Sequence, residues 1–170
     1  MLNDHLRLSL GVNLSKDHSN FGAVDASDPA NIIFGRRNIT TFDNAFSIDY
    51  LFGPRMNITA RARHYWANLY YHQYLHLNDD GTFSPAENWQ GSGDENFNQF
   101  NVDFVYTWQF APGSFLNLIW KESAFAGDFN RGGTFRKNLD KTFRAPQSNS
   151  LTLKVIYWFD AGKLGARKKK

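Results

Sequence analysis

The sequence has no cysteine, which removes disulfide frameworks and thiolate metal sites at the outset. It also lacks any stretch approaching the roughly 18 consecutive apolar residues that a membrane helix requires. A helical membrane protein is thereby excluded. A membrane β-barrel is not, because its apolar residues alternate with polar ones and cancel in any hydropathy average. No sustained helical period is visible, and no GxSxG nucleophile elbow. Gly91-Ser92-Gly93 and Gly132-Gly133 lead into no helix, so no phosphate-binding loop is indicated. The start, Met1-Leu2-Asn3-Asp4-His5, has neither the basic nor the apolar region of a secretory signal, so an exported chain is expected to be a fragment of a longer precursor. Charge of one sign is scarce too: the formal net charge is +3, much of it from Arg167 to Lys170, a solvated basic tail rather than a nucleic-acid patch.

What the chain does have is aromatic residues and alternation. Its 170 residues fit one domain, and 42% apolar content with a mean hydropathy of -0.51 would suit a soluble protein. Aromatic content of 16%, from 16 Phe, 7 Tyr and 5 Trp, exceeds what a soluble core needs and fits membrane girdles.

Period-2 alternation predicts six strands and a nearly all-β chain. The first carries Leu6, Leu8, Leu10, Val12 and Leu14 on one side; the second carries Phe46, Ile48, Tyr50 and Phe52 and stops at Gly53-Pro54. The third carries Met56, Ile58, Ala60 and Ala62 and runs on to Tyr65 and Trp66. The fourth has Phe100, Val102, Phe104, Tyr106, Trp108 and Phe110 and ends at Ala111-Pro112-Gly113. Leu116, Leu118 and Trp120 mark the fifth, and Leu151, Leu153, Val155, Tyr157 and Phe159 the sixth.

The connections alternate in length. About two dozen residues separate the first two strands; Gly53-Pro54-Arg55 follows, then a long loop from Asn78 to Glu95, the Ala111 to Ser114 turn, and a long loop from Ala126 to Gln147. Up-and-down outer-membrane barrels sort long extracellular loops from short periplasmic turns in this way. The fold expected is therefore an all-β, antiparallel, up-and-down transmembrane β-barrel, with residues 1–160 as its C-terminal part and 161–170 as tail. Tyr50, Phe52, Tyr106, Trp108, Phe110, Tyr157 and Phe159 would form an aromatic girdle at the short-turn end, and Tyr65, Trp66, Tyr70, Tyr71 and Tyr74 part of a second one opposite. Such barrels have an even strand number of at least about 8, so further strands are expected from the rest of a parent chain.

Five blocks then carry a resemblance: Ile33-Phe34-Gly35-Arg36-Arg37, Arg61-Ala62-Arg63-His64-Tyr65-Trp66, Phe97-Asn98-Gln99-Phe100-Asn101-Val102-Asp103, Trp108-Gln109-Phe110-Ala111-Pro112-Gly113-Ser114, and Ser148-Asn149-Ser150-Leu151-Thr152-Leu153-Lys154. In these the chain resembles the Bacteroidetes family called domain of unknown function 5916. The resemblance implies a C-terminal barrel preceded by a signal peptide and a domain similar to carbohydrate-binding family 9, with no catalytic residues to carry over.

The candidate site is the side out of phase with the apolar one. Arg7, Asp43, Asp49, Arg61, Arg63, Asp103, Lys121 and Lys154, with Asp160, would face a lumen, either setting selectivity or pairing as a structural ladder. His64, the candidate base of a hydrolase, falls on the apolar side by parity. Asn78-Asp79-Asp80-Gly81 lacks the calcium-loop pattern and reads as a hairpin turn, and the spacing of His72 and His76 suits a metal only on a helix. The functional expectation is a non-enzymatic outer-membrane barrel acting in transport, surface binding or anchoring, without cofactor or metal, with membrane lipid as partner and a glycan as a possible one. The alternatives weighed are a soluble all-β carbohydrate-binding module, with Trp89 or Trp120 in a sugar groove, and an outer-membrane hydrolase.

Overall fold

The computed structural model describes residues 4–128 and 134–159. Its strands are β1 (Leu6–Asp25), β2 (Ile33–Gly53), β3 (Met56–Leu77), β4 (Phe83–Pro85), β5 (Glu95–Ala111), β6 (Ser114–Asp128) and β7 (Gln147–Ile156), and one helix, α1 (Phe135–Arg144), lies between β6 and β7. All pairings are antiparallel, in the order β1-β2-β3-β5-β6-β7, with the short β4 added to β3. The sheet is an open meander, with β1 and β7 as its outer strands.

The six predicted strands are all present, and the first three are far longer than the alternation suggested, at 20, 21 and 22 residues. A transmembrane strand needs only about 9–11. Polar residues such as Lys16, Asp17, Asn38 and Asn68 stay in register beyond the apolar part, so the ladder continues where hydrophobic alternation stops. The expected two-dozen-residue loop thus shrinks to the segment between Asp25 and Ile33.

Turn chemistry fixes the short links. Ala111 pairs with Ser114 around Pro112-Gly113, and Gly113 takes a φ of 72°, a conformation that disfavours any Cβ. The Asp80-Gly81 signal is a hairpin turn joining β3 to β4: Leu77 pairs with Phe83 and Gly81 has a φ of 81°. The Thr82 hydroxyl and amide both donate to the Asp80 carboxylate, at 2.6 and 2.9 Å, and hold its pKa below the usual range. The Pro54-Arg55 and Pro112-Gly113 turns lie at one end of the sheet, and the long connections, one of which contains the Asp80-Gly81 hairpin, lie at the other.

The readings of no helical period and of no helix after Gly132-Gly133 are corrected by α1, which starts at Phe135. Its sheet-facing edge is Asn138 and Thr142, both fully buried, with the apolar Phe135, Leu139 and Phe143 recurring every four residues beside it, a period only ten residues long inside what reads as a loop.

The sheet has almost no core of its own. Among the described residues the buried apolar side chains are Ile33, Ala67, Tyr71 and Ala124, while Leu10 is 72% exposed and Leu151 71%. A soluble domain of about 150 residues buries about two thirds of its chain surface. This one leaves much of an apolar face uncovered, with α1 lying over one patch of it.

Candidate functional site

Register decides what each face carries, because directly paired residues project to the same side. Across the sheet one row reads Leu8, Ile48, Ala60, Phe104, Trp120, Leu151. The row nearer the short turns reads Leu6, Tyr50, Ile58, Tyr106, Leu118, Leu153, and Trp108, Leu116 and Val155 lie one step further. Six independently predicted apolar sides thus merge into one face.

The upper edge of that face is oblique. On β1 the last apolar residue before Lys16 is Leu14; on β7 it is Leu151, followed by Asn149. Leu14 is in register with Phe42 and Trp66, and Leu151 with Trp120, Phe104 and Ala60, so the edge descends three rows, from Trp66 to Ala60 counted along β3. Three rows are about 20 Å along a strand and five strand spacings about 24 Å across, at roughly 3.4 Å per residue and 4.8 Å per strand. The edge therefore runs at about 40° to the perpendicular of the strands, matching the 35–45° tilt of membrane barrels. The lower edge descends likewise, from Leu6 on β1 to Phe159 beyond β7, where Phe110, Tyr157 and Phe159 stand in ring contact at 6.4 Å each. On each outer strand the apolar side is five residues long, Leu6 to Leu14 and Leu151 to Phe159. That is about 27 Å along the strand, or about 21 Å along a tilted axis before side-chain ends are added, against an apolar belt of roughly 25 Å.

Two polar residues interrupt the band, Asn44 and His64, with Asn98 at its edge. All three hold buried polar atoms without a hydrogen-bond partner. The same patch lies beside α1. The Phe135 ring meets Phe42 at 5.3 Å and His64 at 5.5 Å, and Phe143 meets Phe100 at 4.9 Å. Asn96 accepts from the Trp66 indole and donates to Asn138, each at 2.7 Å. His64 lies on the apolar side as parity indicated, 5% exposed, beyond reach of any hydroxyl.

The opposite face collects all eight proposed lumen residues. Arg7 is directly across from Asp49, Asp103 sits between Arg61 and Lys121, Asp43 lies across from Tyr65, and Lys154 across from Asn117. Asp103 accepts from the Arg63 guanidinium at 2.9 Å, with Lys121 Nζ at 3.9 Å, and Asp49 accepts from Thr59 at 3.0 Å. The Arg63 and Lys121 side chains are 50% and 64% exposed, so each pair stabilises by at most about 1 kcal/mol. Their consequence is a field of mixed charge on one face. Asp160 lies outside the described residues.

The expected second girdle divides between the faces. Trp66 and Tyr70 belong to the apolar side, whereas Tyr65, Tyr71 and Tyr74 share the charged side. Tyr65 and Tyr71 have the parity of Arg61 and Arg63, while a one-residue bulge between Tyr71 and Gln73 brings Tyr74 to the same side, which alternation alone does not reveal. The side chains on this face build a network that the sequence did not announce. Arg37 donates to the Tyr71 hydroxyl at 2.6 Å and to Asn20 at 3.0 Å; the Tyr71 amide donates to Asp94 at 2.8 Å. Tyr71 stacks on Tyr74 at 5.8 Å and Tyr74 meets Trp89 at 4.5 Å. A Cβ on Gly35 or Gly93 would stand 2.5 or 2.9 Å from the Tyr71 ring, so both must be glycine for the segment before β5 to fold down over the charged face. Beyond it opens a cavity of about 410 Å³ lined by Asn31, His76, Glu87, Asn88, Trp89 and Gln90. Trp120 is remote from it, on the apolar face, donating to Asn149. Among the described residues no cluster of metal-ligating side chains forms.

These features define an all-β, antiparallel meander with one continuous apolar face and one charged face. The chain belongs to the family described as domain of unknown function DUF5916, whose model matches residues 1–167. No curated protein and no solved structure matches it.

Proposed function

We propose that the chain forms part of the wall of an outer-membrane β-barrel, with its apolar band toward lipid and its charged face toward a lumen. The observation that carries this reading is the oblique band, whose two edges descend together at about 40°, as the strands of a tilted barrel require. A soluble sheet packed on a partner has no cause to shear its apolar face against its own strands. The near absence of a core supports the same reading, because lipid would cover what the chain leaves bare.

Closure needs more strands, since unpaired edges cost several kcal/mol per group in lipid; they would come from the rest of the parent chain, along with the carbohydrate-binding family 9-like domain that the resemblance implies. The protein is non-enzymatic in this reading and works in transport, surface binding or anchoring. The mixed charge of Arg7, Asp49, Arg61, Asp103 and Lys121 suits a hydrated interior that favours neither ion sign strongly. Fractionating cells that express the full-length protein tests it. Recovery in the outer membrane after alkaline washing is the expected result, and release into the wash would refute it.

A second reading, a soluble carbohydrate-binding module, draws on the cavity beside Trp89, where an indole and several amides surround a volume suited to a small ligand. Its test is Trp89 fluorescence against a glycan panel, with no response to any sugar counting against it.

A further inference from the structure

We propose that α1 is an interfacial anchor that recognises anionic lipid headgroups at the long-connection edge of the apolar band; the inference rests on the barrel reading above. At 100° per residue, eight of the ten residues of α1 fall into three strips, with Arg136 and Asp140 on the outer side of the helix. Asn138 and Thr142 point into the sheet. Phe135, Leu139 and Phe143 form one flank, and Lys137, Lys141 and Arg144 the other. Phe135 and Phe143 remain 40% and 49% exposed despite their contacts with the sheet.

The sheet shows which way each flank faces. The phenylalanine flank touches His64 and Phe100, which share one row, while Asn138 reaches Asn96, two rows nearer the long connections. The aromatic flank therefore leans toward the apolar band, and the cationic flank leans away from it, toward the end where the face turns polar with Lys16, Thr40, Asn68 and Asn96. A helix lying along a membrane surface is arranged in this way, with rings at the acyl boundary and cations among the phosphates. The helix carries four cationic residues, Arg136, Lys137, Lys141 and Arg144, against one carboxylate, Asp140, which pairs with Arg144 at 3.0 Å in an exposed position. The helix also shields the polar atoms of Asn98 and His64 at the level where lipid would otherwise meet them.

Headgroup attraction of about 1 kcal/mol per cation near the surface makes the three together worth on the order of 100-fold at low salt. The full-length protein is reconstituted in phosphatidylcholine vesicles and in equimolar phosphatidylcholine–phosphatidylglycerol vesicles. Leu139→Cys, placed in a full-length background with any other cysteine replaced, carries a polarity-sensitive fluorophore; these 170 residues contribute no cysteine of their own. The expected result is a blue-shifted probe and slow chymotryptic cleavage at Phe135 and Phe143 in the anionic vesicles, both reversed by high salt and both lost in the variant Lys137→Gln, Lys141→Gln, Arg144→Gln, which keeps those cleavage sites. Insertion with the same probe signal in both lipids, or a variant that behaves as the parent, overturns the anchor and leaves the barrel standing. Failure to insert in either lipid, with the protein released by alkaline washing, overturns the barrel and the anchor with it.

Discussion

If the band is a tilted lipid belt, an arginine's cost must follow depth in the membrane and not row in the sheet. Leu10 on β1 and Leu151 on β7 separate the two cases, because they are 72% and 71% exposed and packing within the chain would treat them alike. Leu10 is the middle of five apolar residues on its strand, whereas Leu151 is the last before Asn149. Val155 is the middle residue of the five running from Leu151 to Phe159. Arginine on a lipid face costs about 2–4 kcal/mol at the midplane and about 0–1 near an interface. Leu10→Arg and Val155→Arg should therefore each destabilise by about 3 kcal/mol and Leu151→Arg by less than about 1. The gap of about 2 kcal/mol is roughly 30-fold in the folding equilibrium. Urea titration of the full-length protein refolded into vesicles reads it as a shift in midpoint at unchanged slope. Equal effects at Leu151 and Val155, or a larger one at Leu151, would refute the oblique belt.

Other outcomes follow from the charged face and the turns. Asp103→Asn should cost less than about 1 kcal/mol, because its partners are exposed, and a double-mutant cycle with Arg63→Gln should return a coupling no larger than that. Gly35→Ala places a methyl 2.5 Å from the Tyr71 ring and should cost about 1–3 kcal/mol, with faster proteolysis of the segment between Pro85 and Glu95 as its signature. Tyr71→Phe removes the acceptor of the Arg37 guanidinium and should cost about 1–3 kcal/mol by urea titration. The Asp80 carboxylate is held below its usual pKa by Thr82, so its contribution is complete above the ordinary carboxylate range and fades as pH falls through the lowered value. Amide exchange at Thr82, corrected for its intrinsic pH dependence, should show less protection in acid, and Asp80→Asn should remove that extra dependence.

Most of the sheet was legible because one physical rule writes it. Wherever one side of a strand is apolar, as at Leu6 to Leu14 or Phe100 to Phe110, period-2 alternation fixes both the strand and its facing. The same rule fails where neither side is apolar. Lys16 to Asp25 and Ile33 to Phe42 pair in β1 and β2 across two irregularities, at Asp17 to Asn20 and at Ala23 to Asp25, yet carry no alternation to read. Bulges hide in the same way: the extra residue between Tyr71 and Gln73, opposite Arg37 and Arg36, reversed the phase of Tyr74 and moved it from an expected girdle to the charged face, whereas Tyr65 and Tyr71 share the parity of Arg61 and Arg63 and could have been placed by it. Helix α1 did carry a signal, Phe135, Leu139 and Phe143 at a spacing of four, but it spans only ten residues and its buried edge is the polar pair Asn138 and Thr142. The eight charged positions were legible by parity, whereas the Arg37–Tyr71–Asp94 network depends on how the segment before β5 folds back and on two glycines far apart in sequence.

The most direct test of the barrel is topological, since it requires the two ends of the sheet to lie on opposite sides of a membrane. The segment around Gly91, whose Cβ would meet Trp89 at 2.2 Å, is too closely packed for a tag. The Asp79 to Gly81 turn at the long-connection end and the Pro54-Arg55 turn at the other are open. Protease cleavage sites placed at each, in the full-length protein, are exposed to protease on intact cells and again after the outer membrane is breached. The account predicts cleavage at the Asp79 turn in intact cells and at the Arg55 turn only after breaching. Protection of both turns in intact cells, or cleavage of both together, would contradict it.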